Sequence, residues 1–182
     1  MKRTLNIKIK FIGLFFSAII ICFTKNGYSQ PEFVENKGQF QENILFSLKH
    51  NAGHFYFENN KVTYHLYEKD KLYKIKHLQT NNPIIKSHVY SSQFIGTNPK
   101  SETFGENKLK NYHNYFLGSD SSKWKSRIPL FSRLKYENIY KGIDLIYYEK
   151  FGHLKYDLVI HPKSNPNKIK IKYEGVDKVF IQ

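Results

Sequence analysis

Apolar and polar residues alternate along most of this chain with a period of two. In KVTYHLYE, residues 61–68, Val62, Tyr64 and Leu66 alternate with Thr63, His65 and Tyr67. LYKIKHLQ, residues 72–79, sets Leu72, Lys74 and Lys76 opposite Tyr73, Ile75 and His77. Successive side chains of a strand point to opposite faces, so this period predicts strands rather than helices. HFYFEN (54–59), HVYSSQFIG (88–96), YHNYFLG (112–118), KIKIKYEG (168–175) and DKVFIQ (177–182) read the same way. Between them, YKGIDLIYYEKFGHLKYDLVIHP, residues 140–162, predicts a β-hairpin. Asn59-Asn60 predicts a tight turn, and NNP, GTNPK, GSDSS, HPKSNP and YEG punctuate the rest. Many short strands rich in Tyr, Phe, Ile and Val predict an all-β fold, an antiparallel β-sandwich. Two helical turns are expected inside it. Asp120 caps one in GSDSSKWK, with Trp124 folding back as a core anchor, and SNPNKI, residues 164–169, forms the other.

The first residues break this pattern. MKRTLNIKIK is basic, FIGLFFSAIIICF is apolar, and TKNGYSQ supplies small residues before Gln30. That order predicts a signal peptide over 1–29 and a single domain over 30–182. An uncleaved anchor is the competing reading. The apolar run is short for a span of roughly 20 residues, so no stable membrane span is expected after cleavage. Ile21 precedes Cys22, which argues against lipid modification there. Cys22 is the only cysteine and leaves with the signal, so stability must come from packing. A domain of this length buries roughly 68–70% of its unfolded surface, which permits a real core.

The whole chain carries a formal charge of +14. Removing residues 1–29 removes five basic side chains and leaves 24 against 15 acidic ones, a net +9. Nearly all of it is lysine, with Arg127 and Arg133 the only arginines beyond the signal. Nucleic-acid readers exploit arginine's planar fork, and these lysines are scattered, so nucleic acid is not an expected partner. A cell-envelope or extracellular polysaccharide, or another surface protein, fits the charge better.

Candidate chemistry is sparse. Asp144 and Asp157 lie on the same face of the predicted hairpin. If Glu149 pairs with Leu154, Asp144 opposes Val159 and the two aspartates stand diagonally, roughly 7–8 Å apart. If Tyr148 pairs with His153, they face each other at about 5 Å. Those separations suit inverting and retaining glycosidases respectively. The plainer reading is structural, with the aspartates bonding turn N–H groups or pairing with Lys155. His50 and His54 form HNAGH, but Asn51 and Gly53 favour a turn there, where that spacing has no metal-binding meaning. His65, His77, His88, His113, His153 and His161 are isolated, and no H-E-x-x-H, phosphate loop or G-x-S-x-G elbow is present. No catalytic, cofactor-binding or metal-binding residue is therefore assigned, and no cofactor is expected. The abundant tyrosines offer a glycan-stacking surface, although a strand tyrosine is first a packing residue.

Several stretches then occur in order: FVENKGQF, ENILF, GHFYFENNKVTYHLYE, NYFLGSDSSKW, and YENIYKGIDLIYYEKFGHLKYDLVIHPKSNPNKIKIKYEGVDK. Together they resemble the uncharacterised N-terminal domain of large secreted bacterial proteins. Those proteins carry SBBP repeats and often end in a type IX secretion or gliding-associated segment. The resemblance implies an extracellular all-β domain, and it carries no established activity or site residue. It also implies further strands after KVFIQ, where this chain stops in an apparent strand. The expected role is a non-enzymatic structural or adhesive module of an exported protein. A carbohydrate-binding module using exposed Tyr and Lys is the alternative, and a glycoside-processing enzyme using Asp144 and Asp157 the remote one.

Overall fold

A computed structural model describes residues 30–68 and 84–180. Its strands are β1 (Phe33–Glu35), β2 (Phe46–His50), β3 (Gly53–Phe57), β4 (Lys61–Tyr67), β5 (Ser87–Phe94), β6 (Glu102–Tyr115), β7 (Lys125–Tyr140), β8 (Ile143–Lys150), β9 (His153–Ile160) and β10 (Ile171–Glu174). Among the described residues the helical pieces are two single 3-10 turns, Ser121–Lys123 and Pro166–Lys168. The all-β expectation holds. Every pairing is antiparallel, and the strands form one sheet in the order β10-β5-β4-β3-β2-β1-β7-β8-β9, with β6 also on β7. No helix of the described residues is long and apolar enough to cross a membrane.

This single sheet curls on itself around β7, as a half-barrel. Phe131 of β7 pairs with both Lys108 of β6 and Phe33 of β1, while Leu134 pairs with Gly105 of β6 and Tyr147 of β8. β6 therefore follows one edge of β7, and β1 and β8 take successive stretches of the other. The branch through β1 to β5 and the β8–β9 hairpin diverge from that shared strand and close over a common core. Phe57 of β3 packs edge-on against Phe33 at 5.4 Å and against Tyr147 at 5.2 Å. The Tyr136 hydroxyl donates to the Glu58 carbonyl at 2.8 Å, and the Tyr140 hydroxyl to the Ile95 carbonyl at 3.0 Å. Phe33, Leu48, Phe57, Leu134, Ile139 and Ile143 are fully buried. Each such side chain contributes about 1.5–3 kcal/mol of apolar transfer.

The sequence underrates the two strands at the centre of this arrangement. Only residues 112–118 of the β6 region read as a strand, and β7, the longest, was not expected. In its run, Ile128, Leu130, Leu134 and Tyr136 fall at even spacing and are all buried, with the polar Ser132 between them. Pro129 interrupts it and reads as a strand breaker. It is tolerated beside a register shift and beyond Leu130, the last residue that pairs with β1. β1 and β2 are also additions. The expected strand at 168–175 shortens to β10 behind the 3-10 turn, and residues 177–180 of the expected last strand are irregular. Asp120 caps its turn by accepting the Ser122 N–H, as expected, but Trp124 is exposed rather than a core anchor. The expected strand at 72–79 and the expected signal peptide lie outside the described residues.

The hairpin register is the one with Glu149 opposite Leu154 and Asp144 opposite Val159. Its turn decides this. Phe151 at φ +56 and Gly152 at φ +76 form a two-residue connection of the type I′ kind, leaving Lys150 opposite His153. The slipped register would need a four-residue loop.

Candidate functional site

Asp144 lies at the corner where β7 turns into β8. The β7–β8 ladder shifts register between Tyr136 and Tyr140, with Asn138 in the left-handed region at φ +51. That irregularity removes the Asn138 N–H from the ladder. Asp144 Oδ1 accepts it at 2.8 Å, and Oδ2 lies 3.1 Å from both Lys135 Nζ and His161 Nε2. Burial opposes the charged carboxylate. The Asn138 N–H, His161 and Lys135 outweigh that, so its pKa lies below the ordinary 3.8. Burial likewise opposes the charge on Lys135, and Asp144 and Glu137 raise its pKa above the ordinary 10.5 despite it. Asp144 is thus a fold-holding carboxylate, paired with Lys135 across the neighbouring strand rather than with Lys155 as the sequence suggested.

Asp157 stands diagonally from Asp144 on the exposed face and accepts the Tyr148 hydroxyl at 3.1 Å. The two carboxylates share no partner. The histidines are dispersed. His50 and His54 occupy opposite sides of the β2–β3 turn, since Lys49 pairs with His54 and His50 with Gly53. Burial, then Lys49 and His65, push the His54 pKa below 6.5. His113 lies 3.1 Å from Glu32, and His77 lies outside the described residues. Among the described residues no three His, Cys, Asp or Glu side chains gather as a metal site.

A cleft of about 420 Å³ opens instead at the seam of the curled sheet, between β3, β4, β5 and β10 on one side and β8 and β9 on the other. β9 and β10 are the two ends of the strand order and do not pair with each other, so the sheet stays open there. Tyr64 and Tyr90, opposite each other on β4 and β5, stack at 4.6 Å with ring planes 12° apart. Across the cleft, Tyr147 and Tyr156 are a cross-strand pair with centroids 5.6 Å apart, and Tyr156 also meets Phe94 at 6.2 Å. Tyr173 of β10 interacts with the Tyr156 hydroxyl over the open seam. One end is clasped by His50, whose Nδ1 accepts the Ala52 N–H at 3.1 Å while Nε2 lies 3.0 Å from the Gly152 carbonyl. A neutral ring accepting at Nδ1 and donating from Nε2 satisfies both contacts.

Tyr64, Tyr90, Tyr147 and Tyr156 remain phenols. Burial raises the Tyr64 pKa to about 12, a hydrogen bond with Ser92 only partly offsetting it, and burial also raises Tyr90 and Tyr156. Tyr147 is buried deepest, its hydroxyl beside that of Tyr64 but without a hydrogen bond of good geometry. Among the described residues the lining carries no carboxylate, lysine or arginine. It offers aromatic faces, hydroxyl donors and acceptors, and imidazole at the rim. Such a lining suits an uncharged, hydroxyl-bearing or apolar ring.

A family model for a domain of unknown function, DUF7948, matches residues 33–182. The chain belongs to the DUF7948 family. The matched residues include every strand of the sheet and the whole lining of the seam cleft. No curated protein and no solved structure matches the chain.

In this DUF7948 domain the sequence pointed to tyrosines as a class without selecting Tyr64, Tyr90, Tyr156 and Tyr173. Alternation alone places Tyr64 with Leu66 and Tyr156 with Leu158 on the inward faces, which was available from the pattern. Which inward faces oppose each other depends on β10 joining β5, a pairing between segments distant in sequence. The lysines expected beside the tyrosines are not part of this lining.

Proposed function

We propose that this DUF7948 domain is a non-enzymatic adhesive module of an exported cell-surface or extracellular protein, and that it holds its ligand in the seam cleft. The observation that carries the reading is the set of protonated tyrosines, Tyr64 and Tyr90 on one side and Tyr156 on the other with Tyr147 buried between them, in a concavity of about 420 Å³. Export is supported by the signal-like N-terminus, and the SBBP-repeat and type IX or gliding-associated setting by the order of the family-like stretches. The partner class is envelope or extracellular polysaccharide, or another surface protein, and nucleic acid is not proposed.

Within that reading, a carbohydrate-binding role is favoured by the nearly parallel Tyr64–Tyr90 stack, because aromatic faces and hydroxyls together recognise sugar rings. The glycoside-processing reading gains no comparable support. Asp144 is committed to Asn138, Lys135 and His161, and neither aspartate lines the cleft. The test is a glycan array and envelope-fraction pull-down with the chain from Gln30, beside Tyr64→Ala and Tyr156→Ala. Saturable binding that both variants lose supports the proposal. Absence of binding, or binding unchanged in both folded variants, overturns the cleft as the site.

A further inference from the structure

We propose that the tip of the β6–β7 ribbon docks onto an anionic lipid surface. β1 pairs with β7 only at Leu130 and Phe131, so beyond that point β6 and β7 continue as a ribbon without a third paired strand among the described residues, its base packed by Phe40 against Tyr115 and by Glu32 beside His113. The ribbon ends in a connection that exposes large apolar side chains. Phe116 is 56% exposed, Leu117 69% and Trp124 43%. The Phe116 and Trp124 rings meet at 5.4 Å, so they form one wedge rather than scattered side chains. Tyr112, also exposed, stands behind them on β6.

Two features fit this wedge to a bilayer interface. The tip already satisfies polar groups that lipid would strand. Trp124 Nε1 donates to the Gly118 carbonyl at 3.2 Å, and Asp120 accepts both the Ser122 N–H and the Ser122 hydroxyl. An indole that brings its own acceptor enters an apolar phase without an unpaired N–H. The charge of the ribbon's own residues is also mostly of one sign, with Glu32 beside His113 the carboxylate brought to it from outside. Residues 110–127 contain Lys110, Lys123, Lys125 and Arg127 against Asp120 alone. Lys110 and Arg127 are exposed on the two strands leading to the tip. Apolar insertion beneath a basic collar is how peripheral domains engage acidic headgroups. The convex, basic-flanked tip favours a lipid surface over a groove on a protein. It is separate from the seam cleft, which β6 and β7 do not line.

Trp124 is the only tryptophan, so its emission reports on this tip alone. The chain from Gln30 contains every described strand and both core clusters. It is titrated with vesicles of phosphatidylcholine, with and without phosphatidylglycerol. The expected result is a blue shift with the anionic vesicles, quenched by brominated acyl chains. Phe116→Ser with Leu117→Ser should weaken partitioning on the order of tenfold. Lys110→Gln with Arg127→Gln should weaken it similarly and remove most of the salt dependence. Thermal unfolding of each variant confirms that the fold is retained. Unchanged emission with both vesicle types overturns the proposal. So does equal binding to neutral vesicles, undiminished binding by the serine variant, or a response only to a soluble protein.

Discussion

Asp144 and Asp157 share a face of the β8–β9 hairpin, yet Asp144 is 5% exposed while Asp157 stands at the surface. Asp144 meets three partners drawn from β7 and from the segment after β9. Asp157 meets Tyr148 alone in the described hydrogen bonds and ion pairs. The residue type and the strand face are the same, so neither explains the difference. The deciding factor is what lies next to the hairpin. At the Asp144 end, the irregular turn of β7 leaves an N–H to be satisfied. At the Asp157 end, β9 is a sheet edge.

That contrast is open to direct attack. Asp144→Asn should lower stability by about 1–3 kcal/mol, because the Asn138 N–H and Lys135 lose a charged acceptor. Paired thermal melts with Asp157→Asn should show no measurable change in the latter. Equal losses would erase the distinction. Next in size is Gly142→Ala. Gly142 has φ +74, and an added Cβ would lie 2.2 Å from Ser164 Oγ, so a loss of at least about 1 kcal/mol is expected in a denaturant titration. Combining it with Ser164→Ala should recover only part of that, since the backbone strain remains.

Acidification probes the same corner without mutation. Asp144 has a folded pKa below its ordinary 3.8, so its contribution is present above that value and lost as pH falls through the folded pKa. Lys135, raised above 10.5, contributes below that value and loses its contribution as pH rises through its folded pKa. Melting temperatures followed from neutral pH into acid should fall less steeply for Asp144→Asn than for the parent chain. Parallel curves would show that another carboxylate dominates acid unfolding. The smallest expected effect lies at the opposite end of the hairpin. Phe151 is exposed and holds φ +56, so Phe151→Asn should stabilise by roughly 0.5 kcal/mol through a better type I′ turn. Destabilisation would mean that the Phe151 ring contributes packing worth more than the strain it carries.

The all-β class, the hairpin and its two possible registers were legible because they depend on local alternation and turn chemistry. Phe151-Gly152 carried enough information to select the register, but Phe151 does not look like a left-handed residue. Lys135 was missed as the partner of Asp144 because β7 itself was missed behind Pro129. Trp124 was misplaced for a related reason: a lone tryptophan near a cap reads as an anchor until its surroundings are known. The cleft was the least legible feature. Its walls come from β3, β4, β5, β8, β9 and β10, and only long-range pairing brings them together.

The sharing of β7 between the two branches also sets an order of events. β6, β7, β8 and β9 pair with sequence neighbours and can assemble as a local meander. β1 pairs with β7 at Phe33 and Phe131, 98 positions apart. Local contacts form fast and distant ones slowly. In vectorial synthesis, the second edge of β1, already paired with β2 on its other side, must therefore wait open until β7 arrives. Pulsed hydrogen exchange should show protection in the local β1–β4 and β6–β9 ladders before the β1–β7 pairing. The interval in between is when this sheet is most open to pairing with the wrong chain.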